Sequence, residues 1–144
     1  MKAAGTKRLV LDASVTLTWC FPEESTPYTQ RILDLLADGA EALTPGIWPF
    51  EVANALLVGE RHKRRSVAQV TAVLQRLTEL PITVDSVRVD RVFGEILSVA
   101  RQEQLTEYDA AYLELALREA LPLATLDQEL RRAAQHLGIA LVTI

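Results

Sequence analysis

The sequence predicts an α/β fold of three layers, in which helices cover both faces of a short central parallel β-sheet. The first observation is a series of short apolar runs that do not alternate with polar residues, such as residues 9–11. Such runs are typical of strands buried on both faces, as in parallel sheets. The second is that segments with apolar residues three and four positions apart separate these runs, as expected of amphipathic helices. Because 144 residues suffice for one hydrophobic core, we expect a single domain over residues 1–144.

The predicted strands are short, and turn or polar residues follow them. The first runs from residue 9 to Asp12, and the second covers residues 41–44 and is closed by Pro45 and Gly46. Further strands are expected at residues 81–84, 121–126 and 140–143. In parallel sheets ligands bind beyond the carboxyl ends of the strands, so the residues that follow these ends are the first candidates for function.

The helices are predicted from capping residues and apolar spacing. Ser14 is expected to cap a short helix over 15–20, and Ser66 to cap a helix over 67–77. Pro49 suits the first turn of a helix over 49–60. Thr106 is expected to open a helix that is apolar on nearly all sides, which indicates burial. Further helices are expected at residues 26–37, at 89–100 and from 128 onward.

The composition excludes several classes of protein. With 15 basic and 19 acidic residues the net charge is −4, whereas a dedicated double-helix binder is usually basic. The single cysteine, Cys20, excludes an internal disulfide and a multi-cysteine zinc site, and we expect it to be a small buried hydrophobe. No apolar run is long enough for a membrane span, and the run at 9–11 is too short for a signal-peptide core. We therefore expect a cytoplasmic protein without membrane association.

Four acidic residues stand where an α/β chain would bring them together. Asp12 and Asp127 each close a short apolar run, and Glu51 and Asp109 each lie in the opening turn of an apolar helix. Carboxylates crowded into one cleft repel each other, and hard divalent cations with oxygen ligands relieve that repulsion. The leading hypothesis is therefore a Mg²⁺ or Mn²⁺ site suited to the hydrolysis of phosphodiester bonds.

Each of these acids also has a purely structural interpretation. Asp12 could form a turn at a strand end, and the helix dipole would favour Glu51 in a first turn. Asp109 would complete a capping box that begins at Thr106, and Asp127 could simply cap the last helix. Taken one at a time, these interpretations stay open.

A compact basic run follows the helix that carries Glu51. It extends from Arg61 to Arg65 and could offer a positive surface to phosphates without reading base sequence. The ordinary alternative is a solvated helix end whose charges complement the helix dipole. The candidate residues for binding the substrate are Arg61, Lys63, Arg64 and Arg65.

The four acids lie in segments that resemble the motifs of a known family. Residues 11–15 read Leu-Asp-Ala-Ser-Val, residues 51–56 read Glu-Val-Ala-Asn-Ala-Leu, and residues 124–130 read Ala-Thr-Leu-Asp-Gln-Glu-Leu. Residues 105–116, with Thr-Glu-Tyr-Asp-Ala-Ala-Tyr at their centre, are the closest match. In this order the segments resemble the PIN-domain ribonucleases, in particular the VapC-like toxins of toxin–antitoxin operons. The resemblance covers nearly the whole chain.

The resemblance implies a metal-dependent endoribonuclease of PIN-like fold, together with a cognate antitoxin as partner. It implies that Asp12, Glu51 and Asp109 form the metal site and that Asp127 assists in catalysis. A second set of polar residues would surround these acids, namely Ser14, Asn54, Thr106 and Thr125. Cleavage of RNA would inhibit translation and growth.

Three other classes share parts of the pattern. A response-regulator receiver needs a lysine at a late strand end, but the only lysines are Lys2, Lys7 and Lys63. A haloacid-dehalogenase-type phosphatase needs a second Asp where Ser14 stands. A catalytically inactive PIN-like module that binds RNA or protein keeps the same fold and stays open.

The helices carry more apolar surface than a small sheet can cover. The segments 49–60, 67–77 and 89–100 all have wide apolar faces. Exposed apolar patches usually mark an interface, so we expect a homodimer that uses one of these faces.

Overall fold

The centre of the fold is a four-stranded parallel sheet, seen in a computed structural model that describes residues 7–143. The strands are β1 (Arg8–Leu11), β2 (Glu41–Thr44), β3 (Ile82–Val84) and β4 (Leu123–Ala124). Their order in the sheet is β3-β2-β1-β4, and every neighbouring pair is parallel. The first strand of the chain is thus an interior strand, with β2 on one side and β4 on the other.

Helices connect and cover these strands. In chain order they are α1 (Ala13–Cys20), α2 (Pro27–Ala37), α3 (Trp48–Arg61), α4 (Val67–Thr78), α5 (Val89–Arg91), α6 (Leu97–Glu103), α7 (Glu107–Glu119) and α8 (Gln128–His136). A short 3₁₀ turn, Pro22–Glu24, follows α1. Within residues 7–143 none of the helices is both long and apolar enough to cross a membrane.

Alternate side chains of β1 enter two different hydrophobic clusters. Leu9 and Leu11 pack with the buried residues of α2, whereas Val10 belongs to the cluster formed with α3, α4, α7 and α8. All three side chains are fully buried. Because each face of the sheet is covered by helices, the predicted three-layer α/β/α architecture is confirmed.

Ser66 caps its helix as predicted, and Thr26 forms an equivalent cap that was not predicted. Thr26 and Ser66 each accept a hydrogen bond from the backbone three residues on, and the side chains of Thr29 and Gln69 bond back to the cap residues. These reciprocal bonds satisfy two backbone N–H groups at each helix start. They explain why the beginnings of α2 and α4 agree closely with the sequence prediction.

The prediction that Ser14 caps the first helix is wrong. The helix begins at Ala13, so Asp12 occupies the N-cap position, although its side chain makes no capping bond. The Ser14 hydroxyl instead donates a hydrogen bond of 2.6 Å to Asp12 Oδ2. A serine at this position is a hydrogen-bonding residue, as the sequence indicates, but its partner is a side chain.

The predicted helix over 89–100 is interrupted by a π turn, Val92–Ile96, between α5 and α6. A π turn adds one residue to a helical turn and so changes which side chains share a face. Val89 and Phe93 are 63% and 73% exposed, while Ile96 and Ala100 are buried. The apolar spacing located this helix, and part of its apolar face is left uncovered.

The strands at the end of the chain are shorter than predicted. The fourth strand covers only Leu123–Ala124, and the expected strand at 140–143 is reduced to a single bridge between Leu123 and Leu141. Thr125, the residue directly after the fourth strand, donates a side-chain hydrogen bond to Asp12.

Cys20 is buried, as expected of a small hydrophobic residue. Burial raises the pKa of its thiol to about 11. The side chain is therefore a neutral thiol at neutral pH, and it has no nucleophilic role.

Candidate active site

Asp12 lies at the carboxyl end of β1, directly after three fully buried residues. Its side chain is only 6% exposed. Two hydroxyl groups donate to its Oδ2 atom, that of Ser14 at 2.6 Å and that of Thr125 at 2.8 Å. A buried carboxylate needs such donors, because an unpaired charge in this position is strongly unfavourable.

The loop after β4 is folded onto Asp12 by the same two hydroxyl groups. Ser14 Oγ accepts a hydrogen bond from the Leu126 amide at 3.0 Å, and Thr125 Oγ1 accepts one from the Asp127 amide at 3.0 Å. Each hydroxyl therefore bridges a backbone amide and the carboxylate. This network fixes the start of α8, and with it Asp127, relative to the end of β1.

Glu51 lies in the first turn of α3 and is half-buried. Its Oε1 atom accepts a hydrogen bond of 2.6 Å from the hydroxyl of Tyr112, a fully buried residue of α7. Sequence reasoning indicates only a packing role for Tyr112 and misses this bond. The signal that could have revealed it is the position of Tyr112 three residues after Asp109, on the same face of the same helix.

Asp109 lies in the first turn of α7 and is also half-buried. Its backbone amide donates to the side chain of Thr106, which confirms Thr106 as the N-cap. Within the described residues the Asp109 carboxyl makes no return bond to the Thr106 amide, unlike the reciprocal boxes of α2 and α4. Capping therefore explains the position of Thr106 but gives the Asp109 carboxyl no role.

Asp127 caps α8, as the structural interpretation of its sequence position predicted. Its Oδ1 atom accepts hydrogen bonds from the amides of Glu129 at 2.8 Å and Leu130 at 3.1 Å. The residue also lies close enough to the other acids for its charge to act on Asp12 and Asp109. Capping and electrostatic participation are therefore compatible in this residue.

Burial raises the pKa values of Asp12, Glu51 and Asp109, and the charges of neighbouring acids raise them further. Burial is the main cause of the raised pKa of Asp12, and hydrogen bonds from Ser14 and Thr125 offset part of it. Burial also raises the pKa of Glu51 and of Asp109, and in both cases the charge of Asp12 raises it further. The four carboxyl groups thus share one region of negative potential at the carboxyl edge of the sheet.

The chemistry of these donors fits a hard divalent cation, because carboxylate oxygens are its preferred ligands. Across residues 7–143, however, no group of three His, Cys, Asp or Glu side chains is arranged to hold a metal ion as it stands. The charges of the acids act on one another although the described side chains do not form such a group. A bound cation would offset their mutual repulsion.

The other polar candidates have different surroundings. Thr125 is buried and Ser14 is partly buried, and both bond Asp12 directly. Thr106 acts at the backbone of Asp109. Asn54 is exposed, and in the described part of the chain its side chain makes no hydrogen bond.

The basic run lies at the opposite end of α3 from Glu51. Ten residues separate Glu51 from Arg61, or about 15 Å of helix at 1.5 Å per residue. Arg64 bonds Glu23 and Glu24 of the 3₁₀ turn, and Arg65 also bonds Glu23. Arg61 and Lys63 form no ion pair within residues 7–143, so their charges are freer to meet a phosphate.

The raised pKa values predict how stability depends on pH in the absence of metal. A carboxyl group whose pKa is higher in the folded state binds protons more tightly there, so the free energy of unfolding falls as pH rises from about 4 through the raised pKa. Asp12→Asn removes the most buried of these charges, so its free energy of unfolding should fall less steeply with rising pH. Urea unfolding at several pH values between acidic and neutral, in the presence of a chelator, measures how the free energy of unfolding depends on pH in the wild type and in Asp12→Asn.

Asp34→Asn on the surface of α2 is the matched control and should keep the wild-type slope. Millimolar-order Mg²⁺ or Mn²⁺ should stabilise the wild type at neutral pH by mass action and have little effect on Asp12→Asn. Identical slopes for the wild type and Asp12→Asn would show that Asp12 is not a destabilised carboxylate.

Comparisons with known proteins agree with the fold. The sequence model of the PIN domain matches residues 9–136. Ribonuclease VapC3 of Pyrobaculum aerophilum is 30% identical over 126 residues, which cover 85% of this chain and 92% of the relative.

Two solved structures have the same fold. PAE2754 from Pyrobaculum aerophilum superposes with a TM-score of 0.69 at 22% identity, over 90% of this chain and 87% of the other. FitAcB from Neisseria gonorrhoeae superposes with a TM-score of 0.53 at 16% identity, over 94% and 96% of the two chains. The chain therefore belongs to the PIN domain family, as the resemblance of its motifs implied, and not to the receivers or the haloacid dehalogenases.

Proposed function

We propose that the protein is a Mg²⁺- or Mn²⁺-dependent endoribonuclease and the toxin of a toxin–antitoxin pair. The observation that carries the proposal is the buried Asp12 carboxyl group, whose charge adds to burial in raising the pKa values of Glu51 and Asp109. Perturbed carboxyl groups gathered at one edge of a parallel sheet are characteristic of catalytic sites. The relative VapC3 is named a ribonuclease, which supports RNA as the substrate. Cleavage of cellular RNA would then inhibit translation and growth.

Each acid has a proposed role. Asp12 and Asp109 would hold the metal ion, and Asp127 would assist through water or a second ion. A bound divalent ion would lower the pKa of water and neutralise charge on the scissile phosphate. Glu51 would ligate the ion or orient the attacking water. Tyr112 bonds only Oε1 of Glu51, so Oε2 is the atom proposed to face that water.

The surrounding residues would keep these acids in position. Ser14 and Thr125 hold Asp12 Oδ2 in one place, which favours a defined ligand geometry over a mobile carboxylate. Thr106 fixes the first turn of α7 and thereby Asp109. Asn54 stands on the exposed side of α3 and is proposed to contact the substrate from there.

Asp109→Asn separates catalysis from folding. The substitution keeps the backbone amide that Thr106 caps, so we expect little change in thermal stability. If Asp109 is a ligand, cleavage of single-stranded RNA should fall at least about a hundredfold. Cleavage assays with Mg²⁺ or Mn²⁺ and thermal melts test the two expectations together.

Asp34→Asn, on the other face of the sheet, should cleave RNA at the wild-type rate. The alternative function is a catalytically inactive module that binds RNA or protein. Wild-type protein that binds RNA but does not cleave it with either metal would favour that alternative.

The basic run is proposed to bind the RNA backbone. Replacing Arg61 and Lys63 with Ala should weaken binding to all RNA sequences. The slope of the logarithm of the binding constant against the logarithm of the salt concentration should fall in magnitude by about 0.7 for each phosphate that the variant no longer neutralises. Replacing Arg64 and Arg65 should have a smaller effect, because Glu23 and Glu24 already neutralise them. Salt titrations of RNA binding measure these slopes, and an unchanged slope in both double variants would assign the run to helix-end solvation.

A homodimer is proposed to form through the exposed apolar face near the π turn. Val89 and Phe93 are the most exposed apolar residues of the segment 89–100. Phe93→Asp places a charge in that face and should convert the dimer to a monomer, whereas Glu95→Gln on the same turn should not. Light scattering measures the mass, and a wild-type monomer at all concentrations tested would contradict the dimer.

A cognate antitoxin and a cytoplasmic location complete the proposal. The antitoxin would lay an amphipathic segment in an apolar groove and bring an Arg or Lys to Asp12 or Asp109 in place of the metal. The likeness to FitAcB concerns the fold alone and does not identify the partner. Co-expression with the product of the adjacent gene should abolish cleavage.

A further inference from the structure

A cavity of about 250 Å³ opens between the first turns of α3 and α7 and the segment that follows β3. Phe50 and Tyr108 line it, and these residues directly precede Glu51 and Asp109 in the sequence. The cavity is therefore adjacent to two of the candidate metal ligands, although it contains neither of them. Its volume lies just below the range of ordinary small-molecule sites, so it can admit only a small group.

Aromatic rings are unusually accessible at this place. Phe50 is 73% exposed and Tyr108 is 59% exposed, although Tyr108 was expected to be a packing residue. Exposed aromatic side chains beside a catalytic cleft are suited to stacking with unpaired bases, and sequence-specific RNA recognition mostly uses this kind of interaction.

The segment after β3 is shaped to close one side of the cavity. Gly46 lies against Val87, and a Cβ atom on Gly46 would collide with the Val87 side chain. Only glycine allows this approach without a shift of the neighbouring residue. Val87 and Ile96 then give the cavity an apolar wall.

Glu107 supplies a polar group that lacks a partner. It lines the cavity, and its Oε2 atom is buried without a hydrogen bond from any described residue. An unsatisfied buried acceptor costs free energy that a donor on a ligand would recover. Arg88 also lines the cavity, and its exposed pairing with Asp90 is weak enough to yield to a phosphate.

We propose that this cavity is a base-specificity subsite, in which one unpaired base of the RNA substrate stacks on Phe50 and Tyr108 and donates hydrogen bonds to Glu107. The inference rests on the proposed ribonuclease function and names part of its substrate. A carboxylate accepts hydrogen bonds only, so the base must present N–H groups at its edge. Guanine presents two adjacent donors there, its ring N–H and its amino group, and is the preferred base. The neighbouring phosphate would lie towards Asp109.

The test measures RNA binding in a chelator, so that it does not depend on cleavage. Short single-stranded oligoribonucleotides of one length carry a single guanine, adenine, cytosine, uracil or abasic site, and fluorescence anisotropy gives their affinities. Wild-type protein should bind the guanine oligonucleotide most tightly. Phe50→Ala should weaken that binding roughly tenfold, the effect of removing one base–aromatic stack, and Tyr108→Ala should act similarly. Both substitutions are at exposed sites and should leave the fold intact.

Two further variants sharpen the test. Val67→Ala is the matched control, because Val67 is nearly as exposed as Phe50, does not line the cavity and lies outside the proposed dimer face. It should bind like the wild type. Glu107→Gln should reduce the preference for guanine over uracil and leave the affinity for the abasic oligonucleotide unchanged. Light scattering of every variant shows whether an effect follows a change of oligomeric state.

The outcomes separate the subsite from the ribonuclease proposal. If the wild type cleaves RNA but binds guanine and abasic oligonucleotides equally, the function stands and the subsite is refuted. Equal effects of Phe50→Ala and Val67→Ala would refute base stacking at the cavity, and a change of mass in Phe50→Ala would assign the cavity to an interface between copies of the chain. A wild type that neither binds nor cleaves RNA would overturn both proposals.

Discussion

The burial of one negatively charged carboxyl group, that of Asp12, is the constraint on which the acidic edge of the molecule depends. The side chain stands at the end of the interior strand β1, where it is nearly inaccessible to solvent. It is tolerated because Ser14 and Thr125 donate hydrogen bonds to it, and these same hydroxyl groups bind the amides of the loop before α8. The site and the closure of the fold at β4 are therefore maintained by the same few bonds.

Several parts of the fold and site could be predicted because they depend on neighbours in the sequence. The capping residue Ser66 acts within three positions, and the non-alternating apolar run at 9–11 reports burial on two faces. The four acids were identified because strand ends and helix starts are local features. Thr106 was recognised as a cap for the same reason.

Some of the features that escaped prediction depend on residues far apart in the chain. Ser14 has the local signature of a cap, but its hydroxyl accepts a hydrogen bond from the Leu126 amide, 112 positions away. Tyr112 acquires its polar role from Glu51, 61 positions away. The π turn at Val92–Ile96 changes the helical phase without a distinctive sequence signal. The spacing of apolar residues within a single segment does not reveal these contacts or this change of helical phase.

The order of the strands also determines when the acidic edge can form during synthesis. Asp12 and Thr125 are 113 positions apart, and β4, the last strand made, completes the sheet beside the first. Interactions between such distant positions form slowly, because the intervening chain must first be ordered. A nascent chain that has not yet released residues 123–127 from the ribosome has neither the strand that flanks β1 nor the hydroxyl that holds Asp12. The acidic edge can therefore be completed only after helices α1 to α7 have been synthesised.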